Sequence, residues 1–332
     1  MSARWKIVSA VVVVLIVIIG IAIMTSPKEE EKEVVTNEDR LEAIPSTAVK
    51  WTSSNDSFAP VVHSPLWAQP VPMPGPVNTA GAEDSPFMTA NGTWFFFFFT
   101  PDMNIPAQNQ LTDGMTGIWW TQRVNGSWTA PTRIILNDDV SLDGAECVVG
   151  TTMWFASVRA GNYEEIDVFS AEYSDGGWKD VENLGEQLNS DYDIGEFHLM
   201  ANMTTVYFHT GNTGLAGAMD LWVSQKSGSS WGTPVPISEL NTVQEYEGYP
   251  YVTPDGSELW FTSKSRLNYT GPAIFRSVKQ PNGTWGAPEE IISNFAGEAT
   301  MDPDGNIYFV HHFYQQSTDH LYEADIYVAY KQ

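Results

Sequence analysis

The stretch from Glu247 to Arg266, EGYPYVTPDGSELWFTSKSR, decides the fold of this chain. An apolar, aromatic run ending at Val252 meets the turn Pro254-Asp255-Gly256, and a second run containing Trp260-Phe261 leads away from it. Proline presets one turn dihedral, aspartate can hydrogen-bond its own backbone, and glycine takes the left-handed position. Two short runs around such a tripeptide read as a β-hairpin. The turn recurs at Pro303-Asp304-Gly305 and softens to Ala90-Asn91-Gly92, while Val149-Gly150-Thr151 and Ala201-Asn202-Met203 replace it.

Self-similarity extends outward from this hairpin. Trp-x-x-Pro stands at Trp67-Pro70, Trp128-Pro131, Trp231-Pro234 and Trp285-Pro288, with Trp178-Val181 as a degraded copy. An aromatic-Phe pair recurs at Trp94-Phe95, Trp154-Phe155, Tyr207-Phe208, Trp260-Phe261 and Tyr308-Phe309. A third strand signal follows each pair: GIWWTQR from Gly117, IDVFSAE from Ile166, DLWVSQK from Asp220, AIFRSVK from Ala273 and DIYVAYK from Asp325. Three strand signals every ~50 residues match the four-stranded blade of a β-propeller. Each blade then runs inner strand, aromatic-Phe strand, third strand, and an outer edge strand where proline's missing N–H is tolerated.

The chain ends on a third strand, and Trp67 has no blade before it. An N-terminal strand near Leu66–Val71 pairing with Ile326–Tyr330 therefore completes the last blade. The expected fold is all-β: a five-bladed propeller of four-stranded antiparallel blades over residues 61–332, about 54 residues per blade. The segments GTWGAPEEI, from Gly283, and GEATMDPDGNIYFV, from Gly297, together with the Glu247–Arg266 stretch, resemble the PD40 (WD40-like, TolB-type) propeller repeat. That resemblance implies a fold, and it serves scaffolds, binding proteins and peptidase lids alike.

Ahead of the repeats, Ile7 to Met24 carries no charge, enough for one transmembrane helix. Arg4 and Lys6 precede it and an acidic run follows, so the positive-inside rule predicts a cytoplasmic tip (1–6), an uncleaved anchor (7–24) and an extracellular remainder. Residues 25–60, charged and then Ser/Pro-rich, read as a flexible stalk whose removal to about Ser53 should be harmless. Six sequons, Asn55, Asn91, Asn125, Asn202, Asn268 and Asn282, are candidate glycosylation sites outside the membrane.

Sixteen basic against 41 acidic residues give a formal charge of −25, which argues against nucleic-acid binding. A lone cysteine, Cys147, excludes an intrachain disulfide framework, and a small buried hydrophobe is its expected role. His198 reads as a core histidine, and the WFFFFF run from Trp94 as a strand buried on both faces. Acidic residues stand at the start of each inner strand. The candidate ligand-binding face comprises Glu146, Glu196, Glu247 and Glu298, with Arg159 and His311 as neighbours. Converging carboxylates there could recruit Ca²⁺, or supply the acid and base of a glycosidase. No catalytic motif is present, and no cofactor is required. The expected function is a membrane-anchored, extracellular binding or cell-envelope assembly module with a protein or glycan ligand; the alternative is a carbohydrate-active enzyme using carboxylates in the central funnel.

Overall fold

The computed structural model describes residues 34–136, 142–164, 166–189, 194–211 and 219–332. The anticipated tip, anchor and first part of the stalk lie outside the described residues. Among the described residues no helix is long and apolar enough to cross a membrane.

Two short strands, β1 (Val61–Val62) and β2 (Val71–Pro72), come first. β3 (Ala82–Met88), β4 (Trp94–Thr100) and β5 (Gly117–Val124) follow, with an outer edge split into β6 (Ser127–Trp128) and β7 (Thr132–Arg133). The second unit is β8 (Asp143–Val149), β9 (Thr152–Ser157), β10 (Asp167–Ser174) and β11 (Gly177–Asn183). The third is β12 (Phe197–Leu199), β13 (Thr205–Thr210), β14 (Asp220–Ser227), β15 (Ser230–Trp231) and β16 (Val235–Pro236). β17 (Glu247–Val252), β18 (Glu258–Lys264), β19 (Pro272–Val278) and β20 (Glu289–Ser293) form the fourth, and β21 (Ala296–Met301), β22 (Ile307–Gln315) and β23 (His320–Ala329) the last. Within each unit the strands pair antiparallel in sequence order, with β6 and β7 both on β5 and β15 and β16 both on β14. The last and first units share one sheet through a parallel pairing of Ala324 with Ala82, and the innermost strands β3, β8, β12, β17 and β21 touch in cyclic order.

The repeats have physical reasons. Trp-x-x-Pro breaks the outer edge, so β6 and β7 are separate, as are β15 and β16. Where Val181 replaces the proline, β11 runs unbroken for seven residues. The tryptophan of the motif packs on the second-strand aromatic of the preceding unit: Trp178 on Phe96, Trp231 on Trp154, Trp285 on Tyr207 and Trp67 on Trp260, at 5.5–6.2 Å between centroids. The phenylalanine run divides by parity. Phe95, Phe97 and Phe99 join the core shared with Tyr308 and Val310, while Phe96 joins the core containing Trp154 and Trp178. Gly256, Gly305 and Gly92 all adopt the left-handed conformation at their turns, and in the third unit Met203 takes it at φ 54°.

The ends join as anticipated. Val71 and Pro72 pair with Val328 and Tyr327, and Trp67 bridges to Lys331. An additional strand, β1, pairs with β20 of the fourth unit. The expected stalk is corrected from residue 35 onward, because residues 35–332 are one compact unit. Helix α1 (Asn37–Ala43) is capped by Thr36, which exchanges hydrogen bonds with Asp39 in a capping box. From it Arg40 is fully buried, donates to the Pro76 and Val77 carbonyls, and lies 5.0–5.5 Å from the rings of Phe97, Phe99 and Trp119. Lys50 is ion-paired to Glu323 and Asp325, and Trp51 stacks on Tyr322. The charge and proline content that read as solvated linker instead match partners on the body.

Candidate functional site

Four of the inner strands carry a register shift near their start, between Asp84 and Phe87, Gly144 and Cys147, Gly248 and Tyr251, and Gly297 and Thr300. The residue that opens each bulge is left-handed: Ser85, Ala145, Tyr249 and Glu298, at φ 46–57°. Non-glycine residues rarely accept that conformation, and such strain gathers at functional positions. A glycine usually precedes it because the neighbouring unit leaves no room; a Cβ on Gly144 would lie 3.1 Å from Phe98 Cδ2. Glu196, after Gly195, occupies the matching position of the third unit.

These bulges direct side chains from several units to one concavity, lined by Ser85, Glu146, Glu196, Tyr249 and Glu298, with a cavity of about 40 Å³. The Ser85 N–H donates to Glu298 Oε2 at 3.0 Å and its hydroxyl to Glu196 Oε1 at 3.2 Å. Asp84 takes the place of glycine in the first unit; its Oδ2 lies 3.6 Å from His312 Nε2, and its carboxyl shares a hydrogen bond with Glu298. Glu146 is 4% exposed, and among the described residues no other residue donates a hydrogen bond to its carboxylate oxygens.

Electrostatics sorts these acids. Burial, with Asp84 nearby, pushes Glu196 up to about 8. Burial and the neighbouring Asp84 and Glu196 charges hold Glu298 well above the usual carboxylate range, and burial does the same for Glu146. Burial opposes ionisation of Asp84 too, but His312 and its hydrogen bonds outweigh this and leave it below its ordinary value. One ionised acid thus sits among three that favour the proton.

The floor is closed by rings. Phe87, His198 and Tyr251 occupy the same register position of three inner strands, with His198 4.8 Å from Tyr251 and 6.2 Å from Phe87 between centroids. Burial lowers His198 to about 4, so it is neutral. Beyond this plug the short-turn face opens into a separate funnel of about 390 Å³, lined by Met88, Trp94, Val148, Leu199 and Val252 among others.

Glu146, Glu196 and Glu298 are therefore brought together, and the other anticipated residues are not. Glu247 stands two positions earlier in its strand; it accepts from the Thr242 N–H at 2.8 Å and hydroxyl at 2.9 Å and pairs with Arg266. Glu83 does the same with Thr79, at the matching place in the first unit. Arg159 pairs with Asp143 at 2.8 Å, and His311 is buried against Asp56 at 3.1 Å. Asp84, Ser85, Tyr249 and His312 belong to the site although none is among the anticipated site residues; the glycine before the bulge is a signal for Tyr249 alone, since Asp84 stands in its place before Ser85 and His312 lies on β22. Cys147 is a buried hydrophobe whose thiol burial pushes up to about 12, and it accepts from the Leu199 N–H. All six sequon asparagines are exposed. Among the described residues no group of three His, Cys, Asp or Glu is arranged to hold a metal ion.

No family model matches this sequence, and no curated protein matches it. Among solved structures the chain is similar to a thermostable family-43 glycoside hydrolase (13% identity, 76% of this chain and 91% of that one, TM-score 0.46). It is also similar to an alpha-L-arabinofuranosidase of Podospora anserina in complex with cellotriose (10% identity, 76% and 91%, TM-score 0.45). A third likeness is to a TolB protein of Agrobacterium tumefaciens (14% identity, 76% and 92%, TM-score 0.39). These likenesses concern backbone arrangement, and no functional conclusion rests on them.

Proposed function

We propose that this chain is a five-bladed, PD40-type β-propeller, anchored by residues 7–24 with the propeller on the extracellular side, acting as a binding or envelope-assembly module without catalysis of its own. The plugged axis supports this reading. Phe87, His198 and Tyr251 leave above them a cup of about 40 Å³, room for roughly three waters rather than a sugar ring. The cup then holds one protruding group of a protein or glycan ligand, and the longer loops around it meet the rest. The six exposed sequons fit an extracellular setting.

A second reading, a glycosidase-like enzyme, is favoured by one observation. Asp84 is held below and Glu298 well above the ordinary carboxylate value, the division of protonation that a base and an acid need, although the hydrogen bond they share sets them closer than the ~5–10 Å between a glycosidase's two carboxyl groups. One experiment separates the two. The full chain in detergent micelles is offered a panel of aryl glycosides and, immobilised, a fractionated envelope extract. No aryl alcohol release, with retention of an envelope component that Glu298→Ala abolishes, supports the binding module. Turnover with a bell-shaped pH profile, lost in Glu298→Gln, supports the enzyme and overturns the module.

A further inference from the structure

Glu146 is the residue that points to a ligand. A carboxylate this deeply buried ordinarily finds donors, because an unpaired buried polar group costs about 1–3 kcal/mol. Among the described residues no other residue donates to either oxygen of Glu146, yet it lines the cup together with Glu196, Glu298 and Ser85. A fold retains such a group when something else supplies the donors.

The chemistry of that donor can be narrowed. The acids come from different inner strands and are not gathered closely enough for an ion that needs oxygens at ~2.0–2.6 Å. An ammonium group differs: its three N–H donors reach oxygens ~2.8 Å from the nitrogen in diverging directions. The cup of about 40 Å³ admits an ammonium head but not a planar guanidinium fork with its five donors. Its rim carries the half-buried Tyr249, whose ring can flank an alkyl stem. The formal charge of −25 draws cations toward the molecule as a whole.

We infer that the axial cup binds a primary ammonium on an unbranched alkyl stem, with Glu146 at its floor and Glu196 and Glu298 at its mouth. This deepens the binding-module reading and rests on it. The source is a lysine side chain of a partner or a free polyamine. Binding requires deprotonation of acids that favour the proton, so protons leave as the ammonium enters. The titratable groups facing them are Asp84 with His312, Glu146, Glu196, Glu298, Tyr249 and, below, His198 and Cys147. Of these, the three glutamates are the ones that release protons.

The test is calorimetry on the full chain in detergent micelles, with Nα-acetyl-lysine amide, cadaverine, tetramethylammonium and Ca²⁺ as probes. Both primary amines are expected to bind, more tightly at pH 8 than at pH 6, with a heat that varies with buffer ionisation as protons are released. Glu146→Gln and Glu196→Gln should each weaken amine binding by about tenfold. Tighter binding of the lysine derivative assigns the source to a protein, tighter binding of cadaverine to a polyamine. Equal binding of tetramethylammonium, stronger binding of Ca²⁺, or amine binding indifferent to both substitutions would overturn the inference. If no amine binds while envelope retention persists, the ammonium assignment fails and the module stands. If amines bind while no envelope component is retained, the ammonium assignment stands and the module fails.

Discussion

The backbone N–H of Ser85 donates to Glu298 Oε2 at 3.0 Å, so the inner strand of the first unit is tied to that of the last at the axis. The same N–H also reaches Asp84 Oδ1 at 2.9 Å. Truncating Glu298 removes one acceptor and opens the wall of the cup. Glu298→Ala should cost about 1–3 kcal/mol in urea unfolding, whereas Glu298→Gln keeps a carbonyl oxygen there and should cost less than about 1 kcal/mol. Equal losses would show that the bond contributes nothing to holding the two units together.

Stability should fall as pH rises above 6.5. Glu196, Glu298 and Glu146 are all raised above their ordinary value of 4.5, and Glu83 and Glu323, at about 7 and about 8, act in the same sense. The folded state therefore holds more protons than the unfolded chain, and this stability, full below pH 4.5, is lost as pH climbs through the folded values. His198 and His209 work oppositely: burial lowers them to about 4 and about 3, so their contribution is present above 6.5 and lost on acidification. Above 6.5 the acids act alone. Melting curves from pH 6.5 to 8.5 should show a falling Tm, flattened in Glu196→Gln; one fully linked group contributes about 1.4 kcal/mol per pH unit. A rising Tm in the parent protein would contradict the acid cluster.

Residues 34–60 should be required for stability. Arg40 supplies donors to two buried carbonyls and a charge near Glu83, and it covers three aromatic rings. Arg40→Met keeps much of the packing but leaves the Pro76 and Val77 carbonyls unpaired and Glu83 without its counter-charge. Leaving buried carbonyls unpaired costs about 1–3 kcal/mol each. Thermal unfolding of Arg40→Met should show that loss, and a Tm indistinguishable from the parent's would mean the segment merely rests on the surface.

The sequence made the repeat legible because packing needs recur in each unit: an aromatic on the second strand, an outer tryptophan, a left-handed turn residue. Strand order and the joining of the two ends followed from counting those signals. The stalk misled because composition reports average solvation, while Arg40 is held by the Pro76 and Val77 carbonyls and Lys50 by the Glu323–Asp325 pair. The site was half legible. Glu196 and Glu298 stand two positions later than Glu83 and Glu247, and that offset separates residues aimed at the axis from those tying down the incoming loop. His311 misled by alternation: it is buried against Asp56, while His312 meets Asp84.

The outer edge offers a test of what proline does in the repeat. Val181 stands where four other copies carry Pro, and its strand β11 shifts register against β10 between Ser170 and Glu172, opposite that position. A residue at a bulge need not donate to the ladder, so Val181→Pro should cost less than about 1 kcal/mol. Glu182 and Lys179 are in register with Ser170 and Glu172, and proline there should be more damaging, by about 1–3 kcal/mol where it removes a ladder bond and leaves a carbonyl unpaired. Urea unfolding of the three variants checks this, and equal losses at all three positions would contradict a special tolerance at Val181.

The joining of the ends gives the sharpest test of the architecture. Trp67 precedes every complete unit in sequence, yet its ring stands edge-on to Trp260, 5.5 Å between centroids, and its indole N–H donates to the Gly305 carbonyl at 2.9 Å. It thus occupies in the last unit the place that Trp285 holds in the fourth. Trp67 is 5% exposed, and Trp→Ala in such a position costs about 3–5 kcal/mol. Trp67→Ala should therefore destabilise the protein as much as Trp285→Ala, even though Trp67 lies close to the N-terminal end of the described chain. The Ala68 N–H donates to the Tyr330 carbonyl and the Met73 N–H to that of Ile326, so the loss should also free the C-terminal strand. Hydrogen exchange at Ile326 to Ala329 should rise in Trp67→Ala and stay protected in Trp285→Ala. Equal protection in both variants would mean that β2, without the tryptophan, is enough to hold the two ends together.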